Sequence, residues 1–240
     1  MSSSPWRLTA VRAAGQALLE LLYPARCAGC GRLGQLFCPE CQGKLLRPAP
    51  ACPRCGGPPG LAGGPCAACR RASWALNDIF ATAPFVPPLR PAIHAFKYGG
   101  VRALAEPLAE RLSLRWLEMG LAADLIAPVP LHPAREAERG YNQSALLATA
   151  LATRLAPLDA ENTLLLRARA TPSQTAKGRQ EREANVRGAF ACRRSVSGLR
   201  VLLVDDVCTT GATLEACAVA LRLQGAAAVW GLVVARAPLG

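Results

Sequence analysis

The stretch Val201-Leu202-Leu203-Val204-Asp205-Asp206-Val207-Cys208-Thr209-Thr210-Gly211-Ala212-Thr213-Leu214 decides the fold. An apolar, β-branched run ends in two carboxylates. A loop of hydroxyls and glycine follows, and an apolar periodic segment then runs from Leu214 to Leu223. The pattern predicts strand, loop and helix. Such a loop presents backbone N–H groups at a helix N-terminus, where the local dipole favours an anion. Thr209, Thr210 and Thr213 add hydroxyl donors, Ala212 adds a backbone N–H, and Gly211 permits close approach or positive φ. Two acids beside a phosphate cradle would be repulsive if phosphate were the whole ligand. They fit a ligand that carries hydroxyls next to its phosphate, such as a ribose 5-phosphate, whose hydroxyls donate to the carboxylates.

Outward from this stretch, strands are expected at Ile79–Phe85, Leu125–Val129, Thr163–Arg167, Arg200–Asp205 and Val229–Ala235. Helices are expected at Leu89–Lys97, Ala103–Trp116, Asn142–Arg154, Arg179–Val186 and Thr213–Gln224. This alternation implies an α/β fold with a mostly parallel sheet and helices on both faces. Ligands of such sheets sit beyond the carboxyl ends of the strands, and Asp205 and Asp206 fall at such an end. A second strand end carries Pro128, Pro130, His132 and Pro133, followed by Arg135 and Arg139. The prolines stiffen the exit, and the arginines could meet a diphosphate bidentately. His132, between prolines, reads as structural. The segment Arg167–Arg194 holds eight Lys/Arg against two acids. A polar loop of that length is expected to be a lid or binding loop, with Lys177 and Arg182 as the residues that could close over a ligand.

Eight of the 11 cysteines form four Cys-x-x-Cys pairs: Cys27/Cys30, Cys38/Cys41, Cys52/Cys55 and Cys66/Cys69. Each pair offers two thiolates from one turn, and two pairs complete a tetrahedral four-cysteine site. All-sulfur ligands suit zinc; a reducing compartment argues against disulfides, a redox Cys-x-x-Cys would be single rather than fourfold, and paired knuckles favour zinc over an iron–sulfur cluster. Sequential ligation (Cys27, Cys30, Cys38 and Cys41 on one ion; Cys52, Cys55, Cys66 and Cys69 on the other) is favoured over an interleaved scheme, because both halves then repeat one plan. Gly31 and Gly56 follow their knuckles where a tight turn often requires positive φ. A closed site of four cysteines has no open position for chemistry, so the module is expected to be structural or a recognition platform. Arg26, Arg32, Lys44, Arg47, Arg54, Arg70 and Arg71 make it basic.

The chain of 240 residues has a formal net charge of +12 and only 5% aromatics. A polyanionic partner is therefore plausible, and the core must be aliphatic. Three units are expected: an amphipathic helix over 1–24, a double zinc ribbon over 25–75, and an α/β domain over 76–240. Residues 8–22 are interrupted by Gln16 and Glu20 and are too short to span a bilayer. No membrane insertion and a cytoplasmic location are expected.

The 201–214 stretch resembles the phosphoribosyl-diphosphate (PRPP) signature of type I phosphoribosyltransferases. The chain as a whole resembles the ComF/GntX family. The resemblance rests on the four knuckles, Leu89-Arg-Pro-Ala-Ile-His-Ala-Phe-Lys-Tyr-Gly99, Pro128-x-Pro-Leu131 with Glu138-Arg-Gly-Tyr-Asn-Gln143, Gln174-Thr175 with Glu181-Arg-x-x-Asn185, and the Asp-Asp…Thr-Thr-Gly-Ala-Thr loop. It implies a type I phosphoribosyltransferase-like sheet behind a four-cysteine double zinc ribbon, with two structural Zn2+, Mg2+, and PRPP as ligand or substrate. It assigns ribose to Asp205 and Asp206, the 5-phosphate to Thr209–Thr213, pyrophosphate to Arg135 and Arg139, and lid closure to Lys177 or Arg182. Two functions remain open. One is a phosphoribosyltransferase. The other is a competence-type protein that handles single-stranded DNA, with a competence helicase or recombination mediators as partners, and uses the PRPP fold for binding. The glutamine amidotransferase subclass needs a cysteine after the initiator Met, and Ser2 stands there.

Overall fold

The computed structural model describes residues 24–168 and 188–237. The expected helix over 1–24 lies outside the described residues but for Pro24, and the helix expected at 179–186 lies wholly outside. Four parallel strands form the sheet in the order β1-β6-β5-β2, with β1 Ile79–Pro84, β2 Leu125–Pro128, β5 Arg200–Cys208 and β6 Ala228–Arg236. Central β5 is apolar on both faces because both are covered. Leu202 and Val204 pack with α3 (Leu89–Tyr98), α4 (Ala105–Met119) and α6 (Gln143–Arg154). Val201 and Leu203 pack with α7 (Ala212–Leu223). Such two-sided burial is what a parallel sheet demands. On α4, Leu108, Leu112 and Trp116 repeat every fourth residue and are buried.

Three expectations are corrected. Strand β5 continues three residues beyond Asp205, because Val207 and Cys208 stay in register with Ala235 and Arg236 of β6. The acids therefore lie inside the strand rather than at its end. The strand at β3 (Leu165–Arg167) stays out of the main sheet and pairs antiparallel with β4 (Phe190–Cys192). This small hairpin packs Leu165 and Phe190 on the α7 side. The proline-rich exit from β2 forms a helix, α5 (Pro133–Arg139), with proline at its first position and Gly140 closing it at φ 75.

The cysteine module packs against this core through both halves. Phe37, Cys38 and Cys41 join the cluster that contains Leu89 and Ile93. The second half is tied to the start of β1 by the Ile79 N–H to Pro53 carbonyl bond of 2.9 Å. No helix among the described residues is long and apolar enough to cross a membrane.

Candidate functional site

A cavity of about 620 Å³ opens where β5 passes into α7. It is lined by Asp205, the loop Thr209–Thr213, Arg135 and Arg139 of α5, and Lys97 and Tyr98 of α3. Residues read as three separate motifs are thus brought to one wall-to-wall site. Gly211 caps α7 at φ 84. A side chain there would meet Ile79 Cδ1 at 2.8 Å and the Arg54 carbonyl at 2.9 Å, so only glycine fits both the turn and the packing. Thr210 is buried, and its hydroxyl accepts the Ala212 N–H at 3.4 Å, while Thr209 and Thr213 remain half-buried. Three hydroxyls and a helix N-terminus thus line one part of this cavity.

The two acids divide. Asp205 lines the cavity, and its Oδ1 accepts from the Ser144 hydroxyl at 2.8 Å, at the start of α6. Asp206 is 2% exposed, does not line the cavity, and pairs with Lys97 Nζ at 2.8 Å. Its Oδ1 also accepts the Val207 N–H, while its Oδ2 is buried with no hydrogen-bond partner among the described residues. Burial, and next the Asp206 charge, push the Asp205 carboxyl up to about 7, against Lys97 and the Ser144 hydrogen bond. Burial disfavours the Lys97 ammonium, but Asp206 and Asp205 outweigh it and hold its pKa above the ordinary value. Lys97 was legible only as part of a family segment. Nothing local in the sequence gives it a partner on β5.

On α5, Arg139 donates to Gln143 at 3.0 Å and lies 4.9 Å over the Tyr98 ring. His132 caps the helix by accepting the Ala134 N–H at 3.2 Å through Nδ1, which makes it structural. Cys208 is buried, and burial raises its thiol to about 11, so it is a neutral core residue at pH 7. Lys177 and Arg182 lie outside the described residues.

In the cysteine module the sulfurs of Cys27, Cys30, Cys38 and Cys41 lie within 4.8 Å of one another, as do those of Cys52, Cys55, Cys66 and Cys69. The grouping is sequential, and the halves repeat in detail. Cys38 and Cys66 each donate a backbone N–H to the first sulfur of their cluster at 3.3 Å. Each also starts a five-residue helix, α1 (Pro39–Gly43) and α2 (Ala67–Arg71). Gly31 and Gly56 both take φ 78, as a knuckle turn requires. Burial opposes ionisation of Cys27 and Cys52, but converging backbone N–H groups outweigh it and bring both thiols down to about 6. Four sulfurs gathered within 4.8 Å, with Cys27 in one cluster and Cys52 and Cys66 in the other biased to thiolate, fit a tetrahedral zinc ion.

Residues 18–71 match the double zinc ribbon domain family, and residues 142–238 match the phosphoribosyl transferase domain family. The chain is 34% identical to the DNA utilization protein YhgH of Escherichia coli (strain K12) over 80% of its length and 87% of the relative's. It is 31% identical to competence protein F of Haemophilus influenzae over 82% of its length and 89% of that protein's. The chain belongs to the ComF family. Its two four-cysteine clusters are accordingly structural zinc sites, and its α/β sheet is a phosphoribosyltransferase-type sheet. Among solved structures, the glutamine PRPP amidotransferase of B. subtilis complexed with ADP and GMP matches with a TM-score of 0.38 and 25% identity, over 55% of this chain and 26% of that one.

The zinc module and the Thr209–Thr213 loop touch directly. The Arg54 carbonyl that faces Gly211 also accepts from Arg236 Nη2 at 2.7 Å. The Glu215 carboxylate on α7 accepts the backbone N–H groups of Ala75 and Leu76 at 2.8 and 3.0 Å. Arg54 itself turns inward, donating to the Cys69 carbonyl at 3.0 Å. Of the basic residues noted in the module, Arg26, Arg32, Lys44, Arg47, Arg70 and Arg71 are the exposed ones.

Proposed function

We propose that the cavity binds PRPP with Mg2+ and that this ComF-family chain transfers the 5-phosphoribosyl group to a nitrogen acceptor. The observation that carries the reading is the single cavity shared by Asp205, the Thr209–Thr213 loop and the two α5 arginines. The loop would hold the 5-phosphate through its N–H groups and hydroxyls. Asp205 would accept the ribose hydroxyls. Arg135, Arg139 and Lys97 would face the diphosphate, where a planar guanidinium can bind two oxygens at once. Asp206 acts on the site through Lys97, whose ammonium it fixes at the cavity wall. Lys177 and Arg182 are the proposed closing residues. In the transfer, the bond from ribose C1 to the diphosphate oxygen breaks and a bond from C1 to the acceptor nitrogen forms. Pyrophosphate leaves with the electron pair, and the acceptor nitrogen loses its proton. Mg2+, when bound on the diphosphate, neutralises charge on the leaving group. The chain's own contribution is positioning and charge stabilisation.

A second reading is favoured by the relatives named for DNA utilization and competence, and by the exposed arginines of the zinc module. In it the fold binds PRPP as a signal while the basic surface holds single-stranded DNA. Tyr98 is 67% exposed, with Arg139 over its ring, and offers a face on which a base could stack. Phe80 makes an edge contact with Trp116 and Trp74 is half-buried, so both are less exposed than Tyr98.

Mg2+-PRPP with a panel of purine, pyrimidine and amine acceptors separates the two. Pyrophosphate release that is lost in Asp205→Asn supports transfer. PRPP binding without release for any acceptor, together with salt-sensitive binding of single-stranded DNA, supports the second reading. Absence of PRPP binding by calorimetry would sink both.

A further inference from the structure

A separate cavity of about 440 Å³ lies beside the edge strand β1, between α4 and the stretch that leaves the first zinc centre. It shares no lining residue with the ligand cavity. Its charged lining is three arginines and one acid: Arg47 from the module, and Arg111, Arg115 and Glu118 from α4. Glu118 is already shared, accepting from Arg115 at 2.9 Å and lying 3.6 Å from Arg47. Arg111 makes no ion pair with it.

The arrangement is costly for a protein with nothing to bind there. Arg111 and Arg115 stand one helical turn apart, where like charges repel. The Nε atoms of both are shielded from solvent and have no acceptor among the described residues. Burial lowers the Arg111 pKa, and only Glu110 and Glu118 oppose the effect from a distance. A guanidinium cannot shed its proton to escape this, unlike a lysine. Of the polar neighbours, the buried Thr82 hydroxyl donates to the Val234 carbonyl and Gln42 Nε2 donates to the Phe37 carbonyl at 3.1 Å, and neither side chain is bonded to the two Nε atoms. After Glu118 is counted, two positive charges remain, and they sit on planar forks that match the oxygens of a phosphoryl group.

We infer that this cavity is a second anion site that takes a phosphoryl group, held by Arg111 and Arg115 and closed by Arg47 from the zinc module. The phosphoryl group could come from a free phosphorylated small molecule or from the backbone of a nucleic-acid strand. Either would tie the segment between the two zinc centres to α4.

The test is NMR of the arginine Nε–H groups in the full zinc-loaded chain, with Arg111→Lys and Arg115→Lys used for assignment. Inorganic phosphate is expected to shift both resonances saturably, and Arg139→Gln, which alters the ligand cavity instead, should leave that response intact. Arg111→Gln should weaken phosphate at this site about tenfold, the loss of one charge-assisted contact. A short single-stranded oligodeoxynucleotide that produces the same shifts at lower concentration identifies a strand as the source. A response to phosphate alone identifies a small molecule. The inference is overturned if neither probe moves the two resonances, or if chloride at equal ionic strength moves them as far.

Discussion

A β-strand turns successive side chains to opposite sides, so the neighbouring acids of β5 meet different surroundings. Asp205 reaches the cavity, whereas Asp206 is buried against Lys97. The first consequence is a pH dependence. The Asp205 carboxyl titrates near 7 in the folded protein, raised by burial and then by Asp206. Below that pH it is protonated and has lost acceptor capacity, so binding of a ribose phosphate should strengthen as pH rises through about 7. Stability runs the other way. A raised folded-state pKa contributes stability that is full below the ordinary carboxylate range and is lost as pH climbs to about 7. Calorimetric titration and urea unfolding across this window should show both trends. Asp205→Asn should flatten the stability trend and leave only the binding change due to the ligand's own phosphate, which titrates near pH 6 at about its second pKa. A profile unaltered by that substitution would remove Asp205 from the site. The second consequence concerns the pair. Lys97→Met leaves the Asp206 carboxylate buried without a counter-charge, at a cost of about 3–5 kcal/mol. Adding Asp206→Asn should recover a large part of that loss in denaturant unfolding, and equal instability of the single and double variants would contradict the pairing.

At the scale of elements, the loop between β5 and α7 carries the tightest local requirement. Gly211→Ala would force a left-handed backbone on a residue with Cβ, costing about 1–2 kcal/mol, before counting the contacts at 2.8 and 2.9 Å. The same methyl would press on the Arg54 carbonyl, so we expect lower unfolding stability and weaker phosphate-ester binding together. Retention of both would show that the loop can relax. This loop was legible because its apolar strand, its turn chemistry and its helix period are all local. The same holds for β1, β2, β6 and the long helices, whose ends fall close to the expected residues. Helix α5 was missed because four of its seven residues are charged, the others are Pro133, Ala134 and Ala137, and it carries no apolar stripe; its signals are His132, Pro133 and Gly140 at its ends. The β3–β4 hairpin joins two three-residue strands from distant parts of the chain, and neither has a period to read. Lys97 escaped a role for a related reason. Its partner is on another element, and a salt bridge across the fold leaves no trace in spacing.

At the scale of the whole molecule, the zinc module is two copies of one knuckle plan with different neighbours. The first centre packs its Phe37, Cys38 and Cys41 into the core beneath α3, and Gly29 lies against Pro88. The second centre holds Pro53 on the edge of β1, and Arg54 between Gly211 and Arg236. Metal in the second centre therefore supports the ligand loop directly, whereas metal in the first supports a helix that reaches the cavity at its far end. Because a four-cysteine zinc site supplies folding energy outright, losing one ligand should release the ion and loosen that half. Elemental analysis of the native chain is expected to give two zinc ions, and Cys52→Ser and Cys27→Ser one each. Cys52→Ser should also weaken ligand binding in the cavity by about tenfold, the equivalent of one lost contact, while Cys27→Ser lowers stability and leaves affinity near the native value. Glu215 offers an internal control. It anchors Ala75 and Leu76 from the α7 side, so Glu215→Gln should reproduce part of the Cys52→Ser defect with both zinc ions retained. If Cys52→Ser and Cys27→Ser weaken the ligand equally, the support runs through global stability rather than through the contact at Gly211.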